Sequence, residues 1–393
     1  MAMRTMILNG TIIIFPEGSI DSSNAGEWEE EIRQIMRQHP ECEPVLDFSD
    51  LHRISSARLR VLARITRELG KPMVVQNVSP GIYEVLDVTG FTSILDVRRQ
   101  IREISVDGCE YVGRGALGTV YRIDRDTIVK VYNAPNAIEM IRNEQKRAKK
   151  AFLLGIPTAI SYDVVRVGDQ YGAVFEMLKA KNFNELITAH PERSDELIRR
   201  YGGIVHEVHS IETKPGDLPD AREMYIGFLD QVKHVMPDGM ADRLRKLLWA
   251  VPEDLHVVHG DFHMKNVMLS DGEPMLIDME TLCVGNPVFD YAGLFVAYEA
   301  FNEDDSENSM NFMGISEQLS LAIWRGCLYI DKDLTDPEVI DPIIDRIKTV
   351  GYLRFLYLVL ILRNGGEELI ETRIRHSLEH LEELLGRVDS LAI

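Results

Sequence analysis

Within VVHGDFHMKNVMLSDGEPMLID, residues 257–278, two carboxylates and a carboxamide are spaced in a way that could do chemistry. Asp261 and Asn266 share the turn after an apolar run, and Asp278 closes the stretch. The Asp271-Gly272 pair between VML and MLI is a two-residue hairpin signal, and such a hairpin would return Asp278 to the side of Asn266. One carboxylate can then accept or orient a hydroxyl proton, while an amide oxygen and the second carboxylate hold Mg²⁺ on phosphate oxygens. Polar turn residues with no further duty would look alike, so this reading needs companions upstream.

GRGALGTVY (113–121) has the form GxGxxGxV between two β-rich runs, with Gly113, Gly115 and Gly118 at the fixed positions. Glycines there let backbone N–H groups come close to phosphate oxygens, at backbone angles that side chains resist. Any glycine-containing hairpin shares that look. Just behind it, DTIVKVY reads as a strand with Ile128, Lys130 and Tyr132 on one face and Val129 and Val131 on the other. A strand lysine needs a carboxylate to orient it. Glu144 is the first candidate, because it lies one turn after Ile141 and one turn before Ala148 on the inward face of the next helix; Glu139 is the fallback.

These side chains need elements to hold them. A chain of 393 residues suggests two or three domains. Over residues 1–103, TIIIF, PVLDF and PMVVQNV read as strands bounded by Gly, Pro or Asp. They alternate with the helical stretches NAGEWEEEIRQIMRQ, capped by Asn24, and SSARLRVLARITREL, capped by Ser55 or Ser56. A further helix starts at Ser79-Pro80 and ends by Gly90, which makes a small α/β layer. From Val106 the pattern turns to antiparallel β: EYVGRGALGTVYRIDRDTIVKVY, then the helix NAIEMIRNEQKRAKKAFLLG, then SYDVVRV and YGAVFEML. Helices dominate from Asn182 onward, and the acidic stretch NEDDSEN (302–308) reads as a solvated loop.

The formal net charge of −20 argues against a nucleic-acid partner and against docking on anionic lipid. Four cysteines without CxxC spacing fit neither a metal site nor a disulfide framework, and suit a reducing compartment. The N-terminus lacks a signal-peptide layout. FLYLVLIL (355–362), flanked by Arg354 and Arg363, is too short to span a bilayer and reads as a buried helix. The expected location is cytoplasmic, with no membrane partner.

With these motifs in order, residues 107–393 resemble the aminoglycoside phosphotransferase-like branch of the kinase fold. HGDFHMKN stands where that branch has HGDLHxxN, and Asp278-Met279-Glu280 stands at its metal-aspartate motif. The resemblance implies an α+β bilobal fold, with an N-lobe over 107–180 and a helical C-lobe over 181–393. It implies ATP and Mg²⁺ as cofactors, Asp261 as catalytic aspartate, Asn266 and Asp278 as metal ligands, and Lys130 with Glu144 as the ion pair. It also puts Glu176 to Leu178 at the adenine-contacting hinge and has Asp290 brace the catalytic loop. The sequence departs from the pattern in Lys265, at a spot often held by glycine, in lacking the DFG glycine, and in lacking a protein-kinase activation segment.

Residues 1–103 resemble STAS domains, the anti-sigma-factor-antagonist fold, in GSIDSSNAGEWEEEI, VLDFSDLHRISSARLRVL and NVSPGIYEVLDVTGF. Ser56 matches that family's phospho-acceptor position, and phosphate there would meet a helix N-terminus, where free N–H groups favour anions. Ser55 and Ser56 could equally do no more than cap the helix, and Arg58 replaces the family's usual glycine. The expected function is Mg-ATP-dependent phosphoryl transfer to a hydroxyl of a small molecule, with the STAS-like unit regulating or docking a protein partner. The alternatives are a protein-serine kinase and a nucleotide-binding regulator that acts through the STAS-like unit.

Overall fold

The strand and helix runs fold into two units, Met1–Ile104 and Ser105–Ile393. The computed structural model describes residues 3–8, 10–16, 25–115, 117–134, 137–270, 272–363 and 365–393. Asn24, the GSIDSS segment before it, and Asp271 of the hairpin signal lie outside the described residues.

In the first unit a five-stranded sheet runs in sequence order through Arg4–Leu8, Thr11–Phe15, Glu43–Asp47, Val74–Val78 and Asp96–Arg99. Its first pair is antiparallel and the remaining pairs are parallel. The three inner strands are the three β-rich runs read from sequence. Ile12 and Ile14 alternate into the core, where they meet Trp28 and Ile32 from the helix Ala25–Gln38 and Leu62 and Ile65 from Ser56–Leu69. Both edge strands escaped the sequence reading. Arg4–Leu8 is exposed along its whole length and Asp96–Arg99 offers only Val97 to the core, so hydrogen bonds to the neighbouring strand do most to hold them in the sheet.

The second unit opens with antiparallel strands in the spatial order Asp163–Val167, Gln170–Glu176, Thr127–Tyr132, Gly118–Arg122, Glu110–Arg114. The helix Ile138–Leu153 packs Ile141 into a small core with Tyr132 and Ala173. The rest is mainly helical around a large apolar cluster. Two short β pieces interrupt it. Val257–Val258 pairs with Cys283–Val284, and Val267–Ser270 pairs with Glu273–Leu276 through a two-residue turn that includes Gly272 at φ +87°. Lys181–Asn182 adds a strand to that hairpin.

FLYLVLIL forms the end of the 26-residue helix Pro337–Leu362. Phe355, Leu356 and Val359 are buried, while Ile361 and Leu362 are exposed. Among the described residues no helix is long and apolar enough to cross a membrane.

Candidate active site

Lys130 lies on the central strand Thr127–Tyr132, paired with Val120 on one side and Ala173 on the other. Helical spacing turns Ile141, Glu144, Ala148 and Ala151 onto the buried face of Ile138–Leu153. The Lys130 Nζ therefore stands 3.6 Å from Glu144 Oε1. Glu139 is on the outer face with Arg142, 3.1 Å away, so Glu144 and not the fallback meets the lysine. Tyr132 also donates its hydroxyl proton to Glu144 Oε2, a contact that sequence spacing did not suggest.

The nearest carboxylate to Lys130 is Asp278, with Oδ1 at 2.6 Å. Asp278 sits just after the hairpin at φ +65°, ψ +58°, a left-handed conformation that few residues other than glycine adopt. Burial pushes Glu280 up to about 7, helped by the charge of Asp278 and opposed by Lys130. Burial likewise pushes Glu144 up, against the pull of Lys130. Lys130 is thus shared between Asp278 and Glu144, with Glu280 close enough to feel its charge. This surplus of negative charge, with oxygen donors, fits a hard divalent cation.

The loop carrying Asp261 is fixed from behind. Asp290 is fully buried; it accepts from His259 N at 2.8 Å and from Gly260 N at 2.5 Å. Gly260 has φ +80°, and a Cβ there would stand 2.6 Å from the Thr281 carbonyl oxygen, so the turn requires glycine. His209 links Asp290 to Asp331, with Nε2 and Nδ1 each 3.0 Å from a carboxylate oxygen, and Tyr291 donates to Asp331 at 2.8 Å. Burial alone would lower the His209 pKa, but these two carboxylates hold it above its ordinary value.

Asn266 donates its amide to the Asp261 carbonyl at 2.9 Å and to Oδ2 at 3.3 Å, an orientation that leaves its amide oxygen as the group able to coordinate a cation. Ile277 N donates to the Asn266 carbonyl at 3.0 Å, so Asp278 follows directly on a residue tied to Asn266. Burial would raise the Asp261 carboxyl, yet His263, Arg354, His259 and the Asn266 amide together hold it below its usual range.

Several predicted positions are not drawn into this cluster. Glu176 ends its strand exposed and Leu178 follows half-buried, tied down by Met177 N to Asp126 O at 2.8 Å. Gly118 is required by packing, since a Cβ would meet the Val131 carbonyl oxygen at 2.3 Å; Gly113 and Gly115 face open space. Lys265 turns away to the Phe312 carbonyl at 2.5 Å. Ser56 is exposed as the first residue of its helix, and Ser55 is the cap, accepting from Arg58 N at 3.4 Å.

The acidic stretch 302–308 is the solvated loop expected only in part: Glu303, Ser306 and Glu307 are exposed, while Asn302 and the Asp304 side chain are buried. Asp304 is 3% exposed against His376, and Glu303 accepts from Tyr352 at 2.8 Å. The helices Pro337–Leu362 and Glu367–Arg387 supply these partners.

A mixed-sheet α/β unit, followed by a β-rich lobe whose strand lysine meets a carboxylate from a helical lobe, defines a STAS domain fused to a kinase-like fold. The chain belongs to the phosphotransferase enzyme family, whose model matches residues 108–313, and residues 2–104 match the STAS domain. Streptomycin 6-kinase from Streptomyces griseus is 29% identical over 185 residues, which is 44% of this chain and 59% of that protein. The putative anti-sigma factor antagonist BtrV of Bordetella bronchiseptica is 32% identical over 93 residues, 23% of this chain and 79% of that protein. Among solved structures, ADP-bound aminoglycoside phosphotransferase APH(2'')-Ib aligns with a TM-score of 0.48 at 15% identity, covering 78% of this chain and 99% of that one.

Proposed function

We propose that this chain transfers the γ-phosphoryl group of Mg-ATP to a hydroxyl of a small molecule. The observation that carries the reading is the sharing of Lys130 between Glu144 and Asp278, beside a loop that presents Asp261 and Asn266. Lys130 would pair with the phosphates, and the backbone of the Gly113–Gly118 turn would line them. Mg²⁺, held by Asp278 and the Asn266 amide oxygen, supplies charge neutralisation on the phosphates when bound. Asp261 accepts the proton of the acceptor hydroxyl as its oxygen bonds to phosphorus and the bond to the leaving ADP oxygen breaks. A carboxyl held below its usual range is a weak base, which suits a loose transition state in which the proton moves late.

The acceptor we favour is a cationic polyol of the kind the streptomycin relative is named for, since a chain of net charge −20 attracts cations. The STAS unit we read as a docking surface for a protein partner. The test is a panel of streptomycin, other aminoglycosides, amino alcohols and neutral sugars, with ADP release and acceptor mass followed together. The expected result is a gain of one phosphate by a cationic member. ADP release absent with every member, under conditions where Mg-ATP binds, overturns the reading in favour of a nucleotide-binding regulator.

A further inference from the structure

We propose that Arg354, on a helix beyond the segment 108–313 that matches the family, is the residue that positions Asp261 for transfer. The inference rests on the phosphotransferase reading. The Arg354 guanidinium is forked over two neighbouring residues: Nη1 donates to the Gly260 carbonyl, and Nη2 donates to Asp261 Oδ1 at 3.0 Å. Its side chain is 9% exposed, so water competes little for these donors. Gly293 makes room for it, because a Cβ there would stand 3.1 Å from Nη1.

Each remaining contact of Asp261 leaves the carboxylate freer. Asn266 reaches Oδ2 at 3.3 Å and His263 Nε2 stands 3.5 Å from the same oxygen. Among the described residues only the guanidinium ties Oδ1, and it ties the main chain beside it with the same rigid plane. That fixes the side-chain torsions of Asp261 relative to its own backbone and leaves Oδ2 with only these longer contacts. A lysine keeps the charge but places one nitrogen where two are needed. Misplacing a reacting group by about 1 Å can cost on the order of 10²-fold in rate.

The first measurement needs no acceptor: crystal structures of the full chain and of Arg354→Lys. The expected result is one Asp261 rotamer in the parent and a displaced or split carboxylate in the variant. One unchanged rotamer in both overturns the proposal, whatever the acceptor proves to be. The second is turnover with Mg-ATP and streptomycin, or with water as acceptor if streptomycin is not phosphorylated. Arg354→Lys is expected to lower kcat by about 10²-fold with the KM for ATP within about twofold. In an Asp261→Asn background the same change is expected to cost less than about twofold, since there is no longer a base to position. An equal loss in both backgrounds, or a rise in the KM for ATP that matches the loss, overturns the proposal. If Arg354→Lys does not fold, Gly293→Ala, which crowds Nη1, replaces it with the same expectations. A parent protein that turns over nothing would defeat the functional reading, while the rotamer comparison still decides the role of Arg354.

Discussion

Lys130 lies closer to Asp278 than to Glu144, at 2.6 Å against 3.6 Å, so one ammonium links the strand of the β-rich lobe to the hairpin end of the helical lobe. The link spans 148 residues of sequence. On the reading proposed above, phosphate and a divalent cation would divide these groups between them, the lysine going to phosphate and Asp278 to the metal.

Asp278→Ala should then nearly abolish Mg-ATP affinity, because a metal held there would lose its carboxylate. The same change should let Glu280 titrate below the value of about 7 that Asp278 helps to impose. Isothermal calorimetry checks the first outcome, and equal Mg-ATP affinity in the parent and the variant would sink the assignment.

The glycines of the 113–118 turn should separate by function. Gly118→Ala should destabilise the β-rich lobe, because its Cβ would press on the Val131 carbonyl oxygen at 2.3 Å. Gly113→Ala and Gly115→Ala meet open space, so their melting temperatures should stay near that of the parent. If these two line phosphate, their affinity for Mg-ATP should fall several-fold all the same. A thermal melt paired with a nucleotide titration distinguishes these cases.

If Asp261 acts on the acceptor hydroxyl and not on ATP, Asp261→Asn should keep nucleotide affinity and lose most turnover, by about 10²–10⁴-fold. Turnover within a few-fold of the parent would show that another group takes the proton.

His209, buried between Asp290 and Asp331, ties stability to pH. Its folded pKa is raised above the ordinary value, so its stabilisation is fully present below an unfolded pKa of about 6.5 and is lost as pH rises through the folded value. His209→Gln should cost about 3–5 kcal/mol near pH 6, where it leaves buried carboxylates without their cation. The gap between parent and variant should narrow toward alkaline pH. Urea unfolding at several pH values checks this, and a gap that widens with pH contradicts it.

Contiguous motifs were legible in the sequence because each carries its own geometry. A glycine turn between β runs, a lysine in an alternating strand and a helix glutamate at core spacing all read locally. The Val267–Ser270 and Glu273–Leu276 pairing did too. Arg354, His209 and Asp331 did not, since each meets its partner across 81 to 122 residues and sits among ordinary helical residues. Part of the stretch 302–308 misled for the same reason. Glu303, Asp304 and Asp305 look fully solvated until the last two long helices bring Tyr352, His376 and Arg373 against them, while Glu307 stays exposed.

Ser56 should not be phosphorylated by the catalytic half of its own chain. It is exposed at the first turn of Ser56–Leu69, and Ser55 already supplies the helix cap, so its hydroxyl is available to an external enzyme. Self-modification would need that hydroxyl within about 3 Å of Asp261. The join RRQIREISVDG (98–108) is neither glycine- nor serine-rich, so it gives little slack for a large swing. A phosphate on Ser56 would still be stable there, since the free N–H groups of the first turn favour an anion. The expected role of this helix is therefore as a partner surface whose charge another enzyme can change. Incubating the purified chain with Mg-ATP and mapping phosphate by mass spectrometry checks the first claim. Stoichiometric labelling of Ser56 that is independent of protein concentration and vanishes in Asp261→Ala would instead make the chain a serine kinase acting on itself.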